Sequence, residues 1–291
     1  MVLAAIRFLS LVLLAAQIGA AVQDAVAEAA RGTALAREGK YELAIQHYKA
    51  AQRLDPHLPG LYLNLGLAYF KSKRLPEAAA AFEEAVKTES GSFQARALLG
   101  MSYYGLGRYA DAASHLKRAS EAQPDNLELR YRLAQSYLWS EKHAEAIAEF
   151  RFLLTKDPDS APVHLLLGEV LDAAGQVEAA TTEFEAAVKA PAIPPDAHFG
   201  LGYLYWKQQR YEEACREFEA ELKTQPQHVQ ALTYLGDAEL HADRNKQAEM
   251  HLRRALALDA KIRLVHLDLG ILLAARNDSD GPHALSARRS G

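Results

Sequence analysis

Cysteine is nearly missing from this chain: Cys215 is the single one in 291 residues. One thiol excludes an internal disulfide and cannot by itself make a thiolate metal site. Basic residues are not in excess either, with 33 Lys and Arg against 37 Asp and Glu and a net charge of −4. A general nucleic-acid binder needs a basic surface to release phosphate counterions, so no nucleic-acid partner is expected. Catalytic signatures are lacking too. There is no Gly-rich phosphate loop, no HExxH and no GxSxG, and Ser, His and Asp are scattered in an order that defines no triad. The expectation is a protein that is not an enzyme and carries no cofactor and no resident metal. Low charge is not a feature: 24% of residues are charged and 49% hydrophobic, the composition of a folded rather than a disordered chain.

Long apolar runs are confined to the start. Residues 1–21 read MVLAAIRFLSLVLLAAQIGAA, with Arg7 before an apolar run and small residues at Gly19, Ala20 and Ala21. That is the layout of a secretory signal peptide cleaved near Ala20 or Ala21. The run is shorter than the roughly 20 residues a membrane-spanning helix requires, and Gln17 interrupts it. An uncleaved membrane anchor and a plain leading helix are the alternatives. No other segment is apolar enough to span a bilayer, so the mature protein is expected outside the cytoplasm, periplasmic or secreted, without a membrane span.

What the chain has in abundance is repetition. A small residue recurs at Gly32, Gly66, Gly100, Ala134, Gly168, Gly202, Gly236 and Gly270, every step being 34 residues. Alanine recurs with the same step at Ala44, Ala78, Ala112, Ala146, Ala180, Ala214 and Ala248. Four residues after each alanine stands a large apolar residue: Tyr48, Phe82, Leu116, Phe150, Phe184, Phe218 and Leu252. A later alanine follows at Ala51, Ala85, Ala119, Ala187 and Ala255, and Pro56, Pro124, Pro158 and Pro226 close units in phase. A glycine inside a helix costs about 1 kcal/mol in propensity, so its recurrence demands a packing benefit. Two helices joined by a tight turn, with small residues where their backbones meet, satisfy the pattern. Proline then ends the second helix.

This arrangement resembles the tetratricopeptide repeat family, whose 34-residue unit reads W-x2-L-G-x2-Y, then A-x3-F, then A and P. Tyr62, Leu65, Gly66, Tyr69, Ala78, Phe82 and Ala85 carry it in the second repeat; His198, Leu201, Gly202, Tyr205, Ala214 and Phe218 carry it in the sixth. The resemblance implies an all-α, right-handed superhelical solenoid of helix–turn–helix repeats over residues 22–276. Its seven 34-residue repeats would occupy 25–58, 59–92, 93–126, 127–160, 161–194, 195–228 and 229–262. A C-terminal capping helix would follow at 263–276. Departures are Ala134 for glycine, Leu153 and Glu221 for the late alanine, and Ser90 and Ala192 for the proline. The tail 277–291 has no periodicity and is expected to be disordered.

The resemblance also implies a function: a non-enzymatic protein–protein interaction scaffold that holds a partner segment in a concave groove lined by first helices. Residues of those helices that lie off the packing face include Phe70, Tyr104, Tyr131, Arg132, Trp139, Phe199, Tyr203, Trp206, Lys207 and Tyr234. Both tryptophans are among them. Tryptophan, tyrosine and arginine dominate binding energy when desolvated, which favours a groove for a protein or peptide partner. The plainer reading is that some of these rings turn inward between neighbouring first helices. A structural assembly role in an envelope or secretion complex, acting through the outer face and ends, is the alternative function. The family's clamp for a terminal carboxylate is not expected, because only Asn64 fits it in the first three repeats. An asparagine ladder is lacking as well.

His164, His198 and His266 share one place in their repeats. Neighbouring first helices lie roughly 8–10 Å apart, so two such imidazoles could share a metal only by bending toward each other. Packing between a repeat's own helices is the expected role.

Overall fold

A computed structural model describes residues 2–279, with side chains described over 19–274. Fifteen helices and no strands occur among the described residues. The chain divides into two compact units, Met1–Glu149 and Phe150–Gly291. In the first, α1 (Val2–Arg37) pairs with α2 (Tyr41–Leu54), α3 (Leu61–Lys71) with α4 (Leu75–Thr88), and α5 (Phe93–Gly105) with α6 (Tyr109–Ala122). Next come α7 (Leu127–Trp139) and α8 (His143–Lys156), within which the division between units falls. In the second, α9 (Ala161–Ala173) pairs with α10 (Val177–Lys189), α11 (Ala197–Lys207) with α12 (Tyr211–Thr224), and α13 (Val229–His241) with α14 (Asn245–Leu258). The last helix is α15 (Arg263–Ser279), which packs on α13 and α14. The architecture is an all-α repeat solenoid.

The packing explains the repeat. All seven framework alanines are fully buried, and so are Phe82, Leu116 and Phe218. A Cβ added to Gly202 would lie 2.9 Å from the Phe218 ring, and one added to Gly66 only 2.5 Å from the Phe82 ring. The glycine therefore makes room for the large residue of the second helix. The second helix's alanine brings its backbone close as well, with Ala112 O 3.2 Å from an added Cβ at Gly100.

The turn inside each hairpin is uniform too. Gly39, Lys73, Gly107, Glu141, Gly175, Gln209 and Asp243 all take positive φ, from 57° to 76°, and each stands 34 residues after the last. Three of the seven are glycine, for which this backbone is free; the other four pay for it in local strain.

A second device recurs at the fourth place of the repeat. His164 is held between Glu183 Oε2 (Nδ1, 2.6 Å) and the Pro158 carbonyl (Nε2, 2.9 Å). Arg130 does the same with Glu149 (2.7 Å) and the Pro124 carbonyl (3.0 Å). His198 meets Glu217 at 2.7 Å, and His266 donates to the Ala260 carbonyl at 2.9 Å. His164 and Arg130 thus tie a first helix to its own second helix and to the loop before it; His198 makes the first of these ties and His266 the second.

The helix α1 runs without a break across residue 21, where cleavage is expected. Among the described residues no helix is long and apolar enough to cross a membrane. The expected disordered tail lies outside the described residues from 280 onward, while 277–279 continue α15.

Candidate partner-binding groove

The residues expected to line a groove fall into two groups, one in each unit. In the second unit Phe199, Tyr203 and Trp206 project from α11 and Tyr234 from α13, and all four are half-buried. Their rings are continuous. Tyr203 stacks on Trp206 with centroids 5.8 Å apart and meets Tyr234 edge-on at 5.2 Å. Trp206 meets Tyr234 at 5.0 Å, and Phe199 lies 6.3 Å from Tyr203 and 6.2 Å from Tyr234. Offset and edge-on contacts of this kind stabilise by about 0.5–1.5 kcal/mol beyond the area they bury. The cluster rests on the core, because Phe218 is 5.9 Å from Phe199 and 6.2 Å from Tyr234.

Polar contacts hold these rings in place. The indole N–H of Trp206 donates to Asp237, which is buried on α13. His228 lies 4.8 Å over Phe199. Its Nδ1 accepts the Ala231 N–H at 3.0 Å, so Nε2 carries the proton and donates to Asp196 Oδ1 at 3.2 Å. Glu221, buried on α12, accepts the backbone N–H of Asp196 (3.3 Å) and of Phe199 (3.0 Å). A carboxylate at a helix N-terminus satisfies otherwise orphaned donors and suits the positive end of the dipole. This is why glutamate replaces the framework alanine at that place.

Beside the cluster opens a cavity of about 350 Å³, lined among others by Glu169, Asp172, Asp196, Phe199, Tyr203 and His228. Burial, with the charge of Asp196 behind it, pushes the Glu169 carboxyl above its ordinary value. Lys207 lies over the Tyr203 ring at 5.5 Å and pairs with Asp172 at 2.6 Å, so its charge is already engaged across α9 and α11.

The group in the first unit is built differently. Tyr104 meets Tyr109 edge-on at 5.4 Å, Tyr109 lies 6.3 Å from Trp139, and the Arg132 guanidinium stands 5.7 Å from the Tyr104 centroid. Trp139 is 49% exposed. Phe70 and Tyr131 are half-buried on α3 and α7. In the second unit the rings turn toward a neighbouring first helix, whereas in the first Tyr104 and Trp139 both meet Tyr109 on the second helix α6, and most remain partly open to solvent. Glu221, His228 and Tyr109 were not among the expected site residues. A glutamate at a place where five other repeats have alanine was the one available signal.

Among the described residues no group of three His, Cys, Asp or Glu side chains is arranged to hold a metal ion. Cys215 is buried, and burial pushes its thiol up to about 12, far from a reactive thiolate.

A stack of helical hairpins with a part-open aromatic surface on its first helices defines a class of interaction protein. Sequence profiles agree. The tetratricopeptide repeat profile matches residues 97–161, 165–221 and 199–261, and a second one matches 59–91. A TPR repeat profile matches 32–73. The chain belongs to the tetratricopeptide repeat family, whose members are typically non-enzymatic scaffolds for protein–protein interaction. No curated protein matches it in sequence. In three dimensions it is similar to a tetratricopeptide repeat protein from Parabacteroides merdae ATCC 43184. That match has a TM-score of 0.57 and 18% identity, covering 86% of this chain and 99% of the other. It is also similar to MamA AMB-1, with a TM-score of 0.51 and 22% identity over 58% of this chain and 92% of that one. A chain from an APC/C hetero-tetramer matches with a TM-score of 0.55 and 17% identity, over 83% of this chain and 48% of the other. At these identities the likeness concerns the fold.

Proposed function

We propose that the chain is a non-enzymatic scaffold whose second unit holds a segment of a partner protein against α11 and α13. The observation that carries this reading is the continuous, part-exposed surface of Phe199, Tyr203, Trp206 and Tyr234 beside the cavity of about 350 Å³. Rigid aromatic rings supply contact area at low entropic cost, the property of binding hot spots. Lys207 extends this surface within the second unit, and Phe70, Tyr104, Tyr131, Arg132 and Trp139 make a separate candidate surface in the first.

Site-specific photo-crosslinking in the native cell tests it. A crosslinker at Tyr203 is expected to capture a discrete partner, and Trp206→Ala to abolish the capture. If only a crosslinker on the outer side of α14, at Arg253, yields a product, the groove reading is wrong and assembly through the outer face takes its place. Export is a separate part of the proposal, resting on Arg7, the apolar run behind it and the small residues at 19–21. The mass of the chain isolated from its native source tests it: an intact Met1 overturns cleavage.

A further inference from the structure

The cleft between α13 and α15 has a feature that the aromatic groove does not share. Asp268 is 2% exposed, and its Oδ2 has no hydrogen-bond partner. It lines a cavity of about 340 Å³ whose other walls include Asp237, Leu240, His241, Leu267 and Ile271. The rim is apolar and open: Leu267 is 61% exposed and Ile271 54%. A buried carboxylate oxygen without a partner is costly, and a cation seated on it offsets that cost. The neighbouring acid, Asp237, is already engaged by the Trp206 indole. His241 is engaged as well, donating from Nδ1 to the Asp237 carbonyl at 2.9 Å. Neither group answers Asp268 Oδ2.

We infer that this cleft receives a segment of a partner protein carrying a lysine or arginine between apolar side chains, the cation seated on Asp268 and the apolar residues on Leu267 and Ile271. Charge complementarity selects this occupant: an acid-bottomed cleft with apolar lips rejects an acidic or a purely polar segment. The inference names the partner's chemistry at a second place on the same unit, and it stands whether or not the aromatic cluster holds a segment.

The protonation of Asp268 gives the interaction a pH dependence. Burial, and then the charge of Asp237, push its carboxyl up to about 7, while His241 acts in the opposite direction. A cation prefers the ionised form, so binding strengthens as pH rises through about 7. Of the groups facing Asp268, Asp237 and His241 on α13 are titratable and Asn245 is neutral. Protonating any of the three titratable groups makes the cleft less receptive to a cation, so all act in the same sense.

The test uses the purified full chain and a labelled amphipathic helical peptide with one central lysine on its apolar face, read by fluorescence anisotropy. A second peptide has norleucine in place of lysine. Asp268→Asn preserves shape and removes the charge. It is expected to weaken the lysine peptide about tenfold while raising the melting temperature of the free chain at pH 8, which shows that the fold is intact. The norleucine peptide is expected to bind more weakly and to ignore the substitution. Tyr203→Ala, in the aromatic cluster, is expected to leave the lysine peptide unaffected, which separates this cleft from the groove. Equal binding of the lysine peptide by the parent and Asp268→Asn, or of both peptides by the parent, overturns the inference. So does tighter binding once residues 280–291 are deleted, which assigns the cleft to the chain's own tail. A dimer in sedimentation that Leu267→Glu dissociates also overturns it, because the face then belongs to a second copy.

Discussion

The two aromatic groups draw on neighbouring places of the repeat, Trp206 standing where Leu138 does and Trp139 where Lys207 does, and they differ in what stands behind them. In the second unit Trp206 is half-buried, donates its N–H to buried Asp237 and lies against two tyrosines. In the first unit Trp139 is exposed and touches one tyrosine at 6.3 Å. The framework is common to both, so the difference comes from residues the framework leaves free. A ring held by a buried carboxylate is preorganised; a ring held only by loose contact must be ordered when a partner arrives.

The largest expected effect tests that difference directly. Trp206→Ala removes ring contacts and takes the indole N–H from buried Asp237, leaving His241 3.5 Å from its carboxylate, and should destabilise by about 2–4 kcal/mol in urea unfolding. Trp139→Ala should cost less than about 1 kcal/mol. Equal costs would erase the contrast.

The carboxylate caps come next. Glu221→Ala restores the framework residue but strips two N–H groups at the start of α11, and should cost about 1–2 kcal/mol. Its counterpart in the first unit is Glu89, which accepts the Gly60 N–H at 2.7 Å and is less buried. Glu89→Ala should cost about half as much. Hydrogen exchange should quicken at Phe199 in the first variant and at Gly60 in the second.

A smaller effect should be equal in both units, because it belongs to the framework. Lys73 and Gln209 both have φ near 60°. Lys73→Gly and Gln209→Gly should each raise stability by about 0.5–1 kcal/mol, read as a higher melting temperature. Loss of stability in either would mean that the side chain has a role beyond the turn.

The smallest effect concerns alkaline pH. Tyr103 and Tyr205 occupy equivalent places, and each donates its phenol to a glutamate of the preceding second helix, Glu83 and Glu185. Each also has an arginine over its ring, Arg108 at 4.1 Å and Arg210 at 4.2 Å. Burial, then the glutamate, pushes the Tyr103 phenol up to about 12; Tyr205 moves in the same direction for the same reasons. A raised acid is neutral in the folded chain when it has ionised in the unfolded one. The stability this supplies is present below pH 10 and lost as pH climbs from 10 to 12. Ultraviolet titration should show a late tyrosine step at alkaline pH, and Tyr103→Phe should reduce its amplitude.

Much of the fold was legible in the sequence because steric necessity leaves a residue type behind. A glycine that must admit Phe82 or Phe218 has no room for a Cβ, so it recurs in every repeat but the fourth, where Ala134 stands. The turn residue was less visible. Its left-handed backbone is affordable to Lys73, Glu141, Gln209 and Asp243, so the glycine signal at Gly39, Gly107 and Gly175 is interrupted. The groove was legible as a set of places, since ring types at first-helix positions can be read from spacing. Which rings would be fixed was not. The partner of Trp206 lies 31 residues away on the next first helix, and a contact between repeats has no signature in either repeat alone. Asp268 was hidden for a similar reason: an aspartate in a first helix looks solvated until the helix beside it is in place.

The paired grip of Arg130 and His164 has one more consequence. Each side chain holds the loop that precedes its hairpin and the helix that completes it, so neither can melt without loosening the other. In a linear array, where each repeat touches only its neighbours, such a grip converts adjacency into cooperativity. Where it is made, unfolding should spread from one hairpin to the next. Where the place holds a residue without both contacts, as Leu232 does in the seventh repeat, fraying should stop sooner.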